Sequence, residues 1–113
     1  MRIISGKLKG KTILFTKSNI TRPLKDSVKE NIFNILLHSN LIKVDIINSN
    51  ILDLYSGVGS FGIECLSRGA QNVTFVEKDR NTFKILSKNI LDLSIKNQAT
   101  AFNNEIIQFL DKK

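Results

Sequence analysis

The feature that most constrains this chain is Gly57-Val58-Gly59-Ser60-Phe61-Gly62, a GxGxxG loop lying between an apolar run at Ile51 to Tyr55 and a helical pattern at Ser60 to Arg68. Glycines in such a loop allow the tight turn from strand to helix, and the helix start offers N–H donors to a ligand. The same alternation continues downstream. Val73 to Glu77 reads as a second strand, and Gly69 is placed to stop the helix before it. A longer helix is expected from about Arg80 to Leu93, with Phe83, Leu86, Ile90 and Leu93 on one side. A third strand follows at Ala99 to Asn103, then helical turns from Glu105. Parallel neighbours need a crossover and the crossover is usually helical, so this βαβαβα order predicts an α/β fold with a parallel sheet.

Glu77 closes the second strand 20 residues after Gly57, the separation at which a carboxylate meets ribose hydroxyls. An adenosine-containing ligand is therefore expected, and Asp53 discriminates between two of them. A dinucleotide would lay a pyrophosphate on the loop; a carboxylate about 5 Å away, at an effective dielectric near 20, would cost roughly 3 kcal/mol per phosphate charge. S-adenosylmethionine brings a sulfonium and an ammonium instead, and the same interaction becomes favourable. The plainer alternative is an Asp53 buried and satisfied by loop amides.

The 113 residues carry a net charge of +7, of which +6 lies in residues 1 to 30. That asymmetry suits a segment that touches a polyanion, with the remainder handling a small molecule. Within the segment, Ile3 and Ile4, the loop Gly6 to Gly10 and Thr12 to Phe15 predict a hairpin, and Val28, Ile32, Ile35 and Leu36 predict a helix over Lys25 to His38. Two parts are thus expected: a basic hairpin and helix over 1–38, and the first half of a ligand-binding domain over 39–113. The single cysteine, Cys65, excludes an internal disulfide and reads as a core residue. His38 reads as a helix-end or surface group without metal-ligand neighbours. No stretch approaches the roughly 18 apolar residues of a membrane span and no signal sequence is evident, so a cytoplasmic location is expected.

The residues from Asp53 to Gly62, with Glu64 and Leu66-Ser67-Arg68-Gly69-Ala70 behind them, resemble the first motif of the RsmD-type 16S ribosomal RNA guanine-N2 methyltransferases. The opening, Met1 to Lys7 with Lys9-Gly10, then Arg22-Pro23, Asp26, Val28, Lys29-Glu30 and Phe33-Asn34, is similar to that family's N-terminal signature. It departs at Leu24, where threonine is usual, and at Lys29, where arginine is usual. The resemblance implies a Rossmann-like class I S-adenosylmethionine-dependent methyltransferase fold, here truncated after about three parallel strands. It further implies that Asp53, Gly57 and Gly59 lie at the methionine end of the donor, with Tyr55 among the donor-binding residues. Glu77 would take the ribose hydroxyls, Lys78 would lie along the adenine, and Asn104 or Glu105 would meet the adenine amino group. Arg2, Lys7, Lys9, Lys11, Arg22, Lys25 and Lys29 would face 16S ribosomal RNA or the small ribosomal subunit.

Enzymes of this type place an acid-or-amide, Pro, Pro, aromatic motif after the fourth strand, and the only proline here is Pro23. The chain alone is therefore expected to bind donor and RNA without catalysis, as an excised fragment, a broken gene product or one half completed by a second, C-terminal polypeptide. It is otherwise expected to be monomeric. Its first strand would leave one sheet edge uncovered. Two other readings compete. A noncatalytic RNA-binding or ribosome-assembly factor explains the basic segment but leaves Asp53 and Glu77 idle. A NAD-dependent oxidoreductase fragment shares the glycine loop, yet such chains open near their first strand, whereas some fifty positions precede it here.

Overall fold

The computed structural model describes residues 1–15, 26–38 and 45–111. Arg22, Pro23, Leu24 and Lys25, and with them the expected first residue of the N-terminal helix, lie outside the described residues. The elements in order are helix α1 (Asp26–His38), strand β1 (Asn50–Asp53), helix α2 (Ser60–Ser67), strand β2 (Asn72–Val76), helix α3 (Arg80–Asp92), strand β3 (Ala99–Phe102) and helix α4 (Ile106–Asp111). The strands form one parallel sheet in the order β1-β2-β3. Asp53 pairs with Phe75 and Val76 with Phe102 at the carboxyl ends of the ladders. The expected α/β alternation is present, with β1 and β2 each shifted about one residue towards the N-terminus.

Helix α2 is the centre of the molecule. Ser60 and every residue from Gly62 to Ser67 are buried, because the sheet lies on one side and the N-terminal segment on the other. The sheet side of the helix is apolar, with Ile63, Cys65 and Leu66 filling the core beside Val73, Phe75 and Leu86, while Glu64 and Ser67 meet the N-terminal segment. Gly62 is what lets α2 approach the sheet: a Cβ there would lie 2.3 Å from Cε1 of Phe75, whose ring is fully buried. Cys65 shares the core, and burial with the nearby Asp53 and Glu64 carboxylates pushes its thiol up to about 12 against the pull of Arg68. It is an inert thiol at neutral pH.

The first fifteen residues form less of a hairpin than their pattern predicts. Arg2 and Thr12 make a single antiparallel bridge, supported by Ile3 N–H to Lys11 O and Ile13 N–H to Met1 O, both 2.9 Å. Four further backbone donors turn to α2. Ile4 and Ser5 donate to the two carboxylate oxygens of Glu64 at 2.9 and 3.0 Å, Leu8 to Ser67 Oγ at 3.0 Å, and Lys7 to Ser67 O at 2.8 Å. Ile3 and Ile13 thereby enter the common core, as does Phe33 of α1. Phe33 stacks on Phe61 with centroids 5.1 Å apart and receives the Arg68 guanidinium 4.3 Å above its ring.

Helix α3 starts at Asp79, whose carboxylate accepts from Thr82 N–H at 2.9 Å and Thr82 Oγ1 at 2.7 Å, an N-cap that holds its carboxyl below the ordinary range. It ends near Leu93, and a turn through Ser94 returns the chain to β3. On the other side of the sheet, α4 sets Phe109 against Phe102 at 5.2 Å. Among the described residues no strand pairs with the second edge of β1, where Leu52 and Leu110 remain about half exposed. No described helix is long and apolar enough to cross a membrane.

The contact at Gly62 yields a stability prediction. Gly62→Ala gains helix propensity but drives a methyl into a ring with no room to move, so overpacking dominates and a net loss of about 1–3 kcal/mol is expected. Urea denaturation should show a lower midpoint at unchanged slope.

Candidate functional site

The carboxyl ends of β1 and β2, with the start of α4, enclose a cleft of about 280 Å3 lined by Leu54, Tyr55, Glu77, Lys78, Asn104, Glu105, Ile106 and Ile107. Ligands of parallel sheets settle at the carboxyl ends of strands. Five of the eight positions singled out from the sequence for the small-molecule ligand (Tyr55, Glu77, Lys78, Asn104 and Glu105) therefore meet around one opening. Tyr55 is 84% exposed and offers its ring to an occupant.

Gly57 and Gly59 take a different part. The Gly57 N–H donates to Glu77 Oε1 at 2.9 Å, and the Gly59 N–H donates to Ser56 O at 2.9 Å. Gly59 has φ +97°, and a Cβ there would press on Leu86 Cδ1 at 2.7 Å. The Gly57 amide is thus taken by Glu77 and the Gly59 amide by the loop itself. What the glycines do is fold the loop tightly over α2 and α3.

Glu77 is the brace of this end of the sheet. Its second oxygen accepts from Asp79 N–H at 2.8 Å, so one carboxylate ties the glycine loop to the turn before α3. Each oxygen retains a further lone-pair site. Asn103, which sequence reasoning passed over, ties β3 to the same place by donating to Glu77 O at 2.9 Å and Lys78 O at 3.1 Å. Its position one residue past the third strand was the available signal. The apolar lining residues Leu54, Ile106 and Ile107 were also missed, since nothing separates them from core positions in the pattern alone.

Asp53 sits directly behind Leu54 and Tyr55. Its Oδ2 is buried with no hydrogen-bond partner. Burial raises its carboxyl above the ordinary value; the amides of Tyr55 and Gly62 pull it back, and the Glu77 charge adds to the rise. A buried carboxylate oxygen without a partner is costly. Perturbed groups of this kind gather at functional sites. A positive group brought to the cleft is the ligand chemistry that would relieve it.

Among the basic side chains, Lys29 requires correction. It is fully buried, 3.3 Å from Glu64 Oε1, and donates to Arg2 O at 3.0 Å and Ser60 Oγ at 3.2 Å. No RNA can reach it. Arg2, Lys9 and Lys11 are exposed, and Lys7 reaches Gln98 Oε1 at 3.1 Å, at the far end of α2 from the cleft. His38 is exposed at the end of α1, and no group of three metal-ligating residues exists among the described residues.

A parallel sheet whose glycine loop, terminal acid and cleft are arranged in this way has the fold of a class I S-adenosylmethionine-dependent methyltransferase. The solved structure of yhhF from Escherichia coli matches it with a TM-score of 0.80 at 32% identity, over 97% of this chain and 55% of that one. An RNA methyltransferase from Salinibacter ruber, solved with S-adenosyl-L-homocysteine, shares the fold at a TM-score of 0.61 and 20% identity, over 76% of this chain and 52% of that one. Within that class the chain belongs to the family described as Conserved hypothetical protein 95, the RsmD family, whose model matches residues 1–113. Ribosomal RNA small subunit methyltransferase D of Buchnera aphidicola (from Acyrthosiphon pisum) is 42% identical over 106 residues, 94% of this chain and 49% of that protein. Its namesake in Haemophilus influenzae is 38% identical over 111 residues, 97% and 54% of the two chains. The chain spans about half the length of the curated relatives it matches.

The raised carboxyl of Asp53 sets a pH dependence. Because the folded state holds this proton more tightly than the unfolded chain, the contribution is greatest below the ordinary carboxylate pKa of about 3.9 and is lost as pH rises through the raised value. The stability of the wild type relative to Asp53→Asn should therefore fall as pH climbs from about 4 towards neutrality. A difference that stays flat would show that the Asp53 carboxyl is not desolvated.

Proposed function

We propose that this chain is the S-adenosylmethionine-binding portion of an enzyme that methylates a guanine N2 in small-subunit ribosomal RNA. The observation that carries the reading is the buried, unpartnered Oδ2 of Asp53, the residue next in the chain to the cleft residues Leu54 and Tyr55. The cationic methionine end of the donor is the complement it lacks. Glu77 has lone pairs left for ribose hydroxyls after bracing the loop, Lys78 borders the adenine, and Asn104 or Glu105 meets the adenine amino group. Leu54, Ile106 and Ile107 supply the apolar walls on which a flat base is held. When bound, the donor supplies a methyl group activated by its sulfonium.

RNA contact falls to Arg2, Lys7, Lys9 and Lys11, with Arg22 and Lys25. The relatives named for methylation of small-subunit ribosomal RNA support that partner, in a cytoplasmic setting. The 113 residues contain one proline, Pro23, and so no Pro-Pro-aromatic motif to receive the guanine amino group. These residues alone bind donor without transferring methyl; a complementing chain carrying that motif would restore transfer.

Calorimetry with S-adenosyl-L-homocysteine tests the donor site. The wild type should bind it and not NAD, and Asp53→Ala should weaken binding by roughly tenfold or more, the loss expected for a charge-assisted contact. Binding of NAD instead, or indifference to Asp53→Ala, would overturn the assignment. If about six phosphates are neutralised, affinity for a 16S RNA fragment should fall by roughly three orders of magnitude between 50 and 200 mM salt. A flat salt response would remove the basic segment from the contact list.

A further inference from the structure

Lys29 and Asn89 are buried polar side chains that line no part of the cleft. Both lie where the N-terminal segment meets the glycine loop. Lys29 Nζ holds Arg2 O and Ser60 Oγ while paired with Glu64. Asn89 Nδ2 donates to Val58 O at 2.9 Å and Leu14 O at 3.0 Å, and its Oδ1 accepts from Leu14 N–H at 2.8 Å. The residues on either side of Gly59 are therefore each fastened to the N-terminal segment, Ser60 through Lys29 and Val58 through Asn89.

Covering α2 would not by itself demand this chemistry. Burial of Ile3 and Ile13 and the backbone bonds to Ser67 already dock the segment. Replacing a buried ion pair by apolar groups is often neutral or stabilising. What the polar groups add is direction: each fixes a particular atom next to Gly59, where a shift of a few tenths of an ångström alters the loop beneath Asp53 and Glu77.

We propose that Lys29 and Asn89 are positioning residues that join the docked N-terminal segment to the shape of the glycine loop, so that loosening one loosens the other. The proposal rests on the donor reading of the cleft only for its affinity readout. Its primary readout is amide hydrogen exchange, which needs no ligand.

Ser60→Ala cuts one link while leaving Lys29 paired with Glu64 and Arg2 O, so the variant keeps its buried charge satisfied. Protection at Ile3 and Ile13 in the segment, at Gly59 in the loop and at Ile63 in the first turn of α2 should fall together by roughly tenfold, the scale of one hydrogen bond to a charged group. Val73 and Glu77, whose amides bond to Gln98 O and Phe102 O, should keep wild-type protection. Asn89→Ala should give the same paired loss centred on Leu14 and Gly59; if it fails to fold, Ser60→Ala decides. Affinity for S-adenosyl-L-homocysteine should drop in Ser60→Ala by about the same factor as the loop protection. Loss of protection in the segment with wild-type exchange at Gly59 and Ile63 would overturn the proposal, showing a passive cover. If the wild type bound no homocysteine analogue, the donor reading would fail while the exchange experiment still decided the coupling.

Discussion

A single carboxylate organises the N-terminal half of the molecule. Glu64, fully buried on α2, receives the amides of Ile4 and Ser5, the ammonium of Lys29 and, at 2.8 Å, the Nε of Arg68. A carboxylate suits the place because it only accepts and has about four lone-pair sites for the four donors converging there. The four donors come from three stretches of chain: the opening segment, α1 and the residue that caps the end of α2. Removing the carboxylate would leave a buried ammonium without its counter-charge and two amides without partners, a loss that breaks such clusters far more than the pair's own attraction suggests.

The ligand end of the sheet follows the opposite logic. There the amides of Gly57 and Gly59 bond within the protein, to Glu77 and Ser56, and Asp53 Oδ2 is left unmatched. Stability is given up at one atom and concentrated in the surroundings, which is the usual relation between a binding site and its scaffold. Cys65, inside α2, shows the same low-polarity interior acting on a group with no role in the site: its thiol is held far from ionisation by burial and by the same aspartate.

Periodicity and glycine placement were enough to read the order of elements from β1 onward, and the GxGxxG-to-Glu77 spacing located the cleft. These are local signals, and the physics behind them is local. The sequence could not show that Lys29 is interior, because counting charges treats every lysine as a surface group and the partner that buries it stands 35 positions away. Nor could it show that Ile4 to Leu8 would bond to a helix instead of to a returning strand: the alternation fits both, and only the proximity of Glu64 and Ser67 chooses. Gly57 and Gly59 were correctly picked as loop residues, yet the destination of their amides depends on the Glu77 side chain, which spacing alone does not orient.

The route of the opening segment along α2 has a geometric consequence. Arg2 lies level with Ser60, beside the glycine loop, whereas Lys7 lies level with Ser67 and Gln98 at the base of the sheet. Eight helical residues separate those ends by about 12 Å. A nucleic-acid duplex advances about 3.4 Å per base pair along its axis and covers that distance in three to four base pairs. Arg2 and Lys7 thus mark the two ends of a line down the flank of α2, and under the proposed RNA role a duplex aligned with it would be held lengthwise with only one end near the glycine loop.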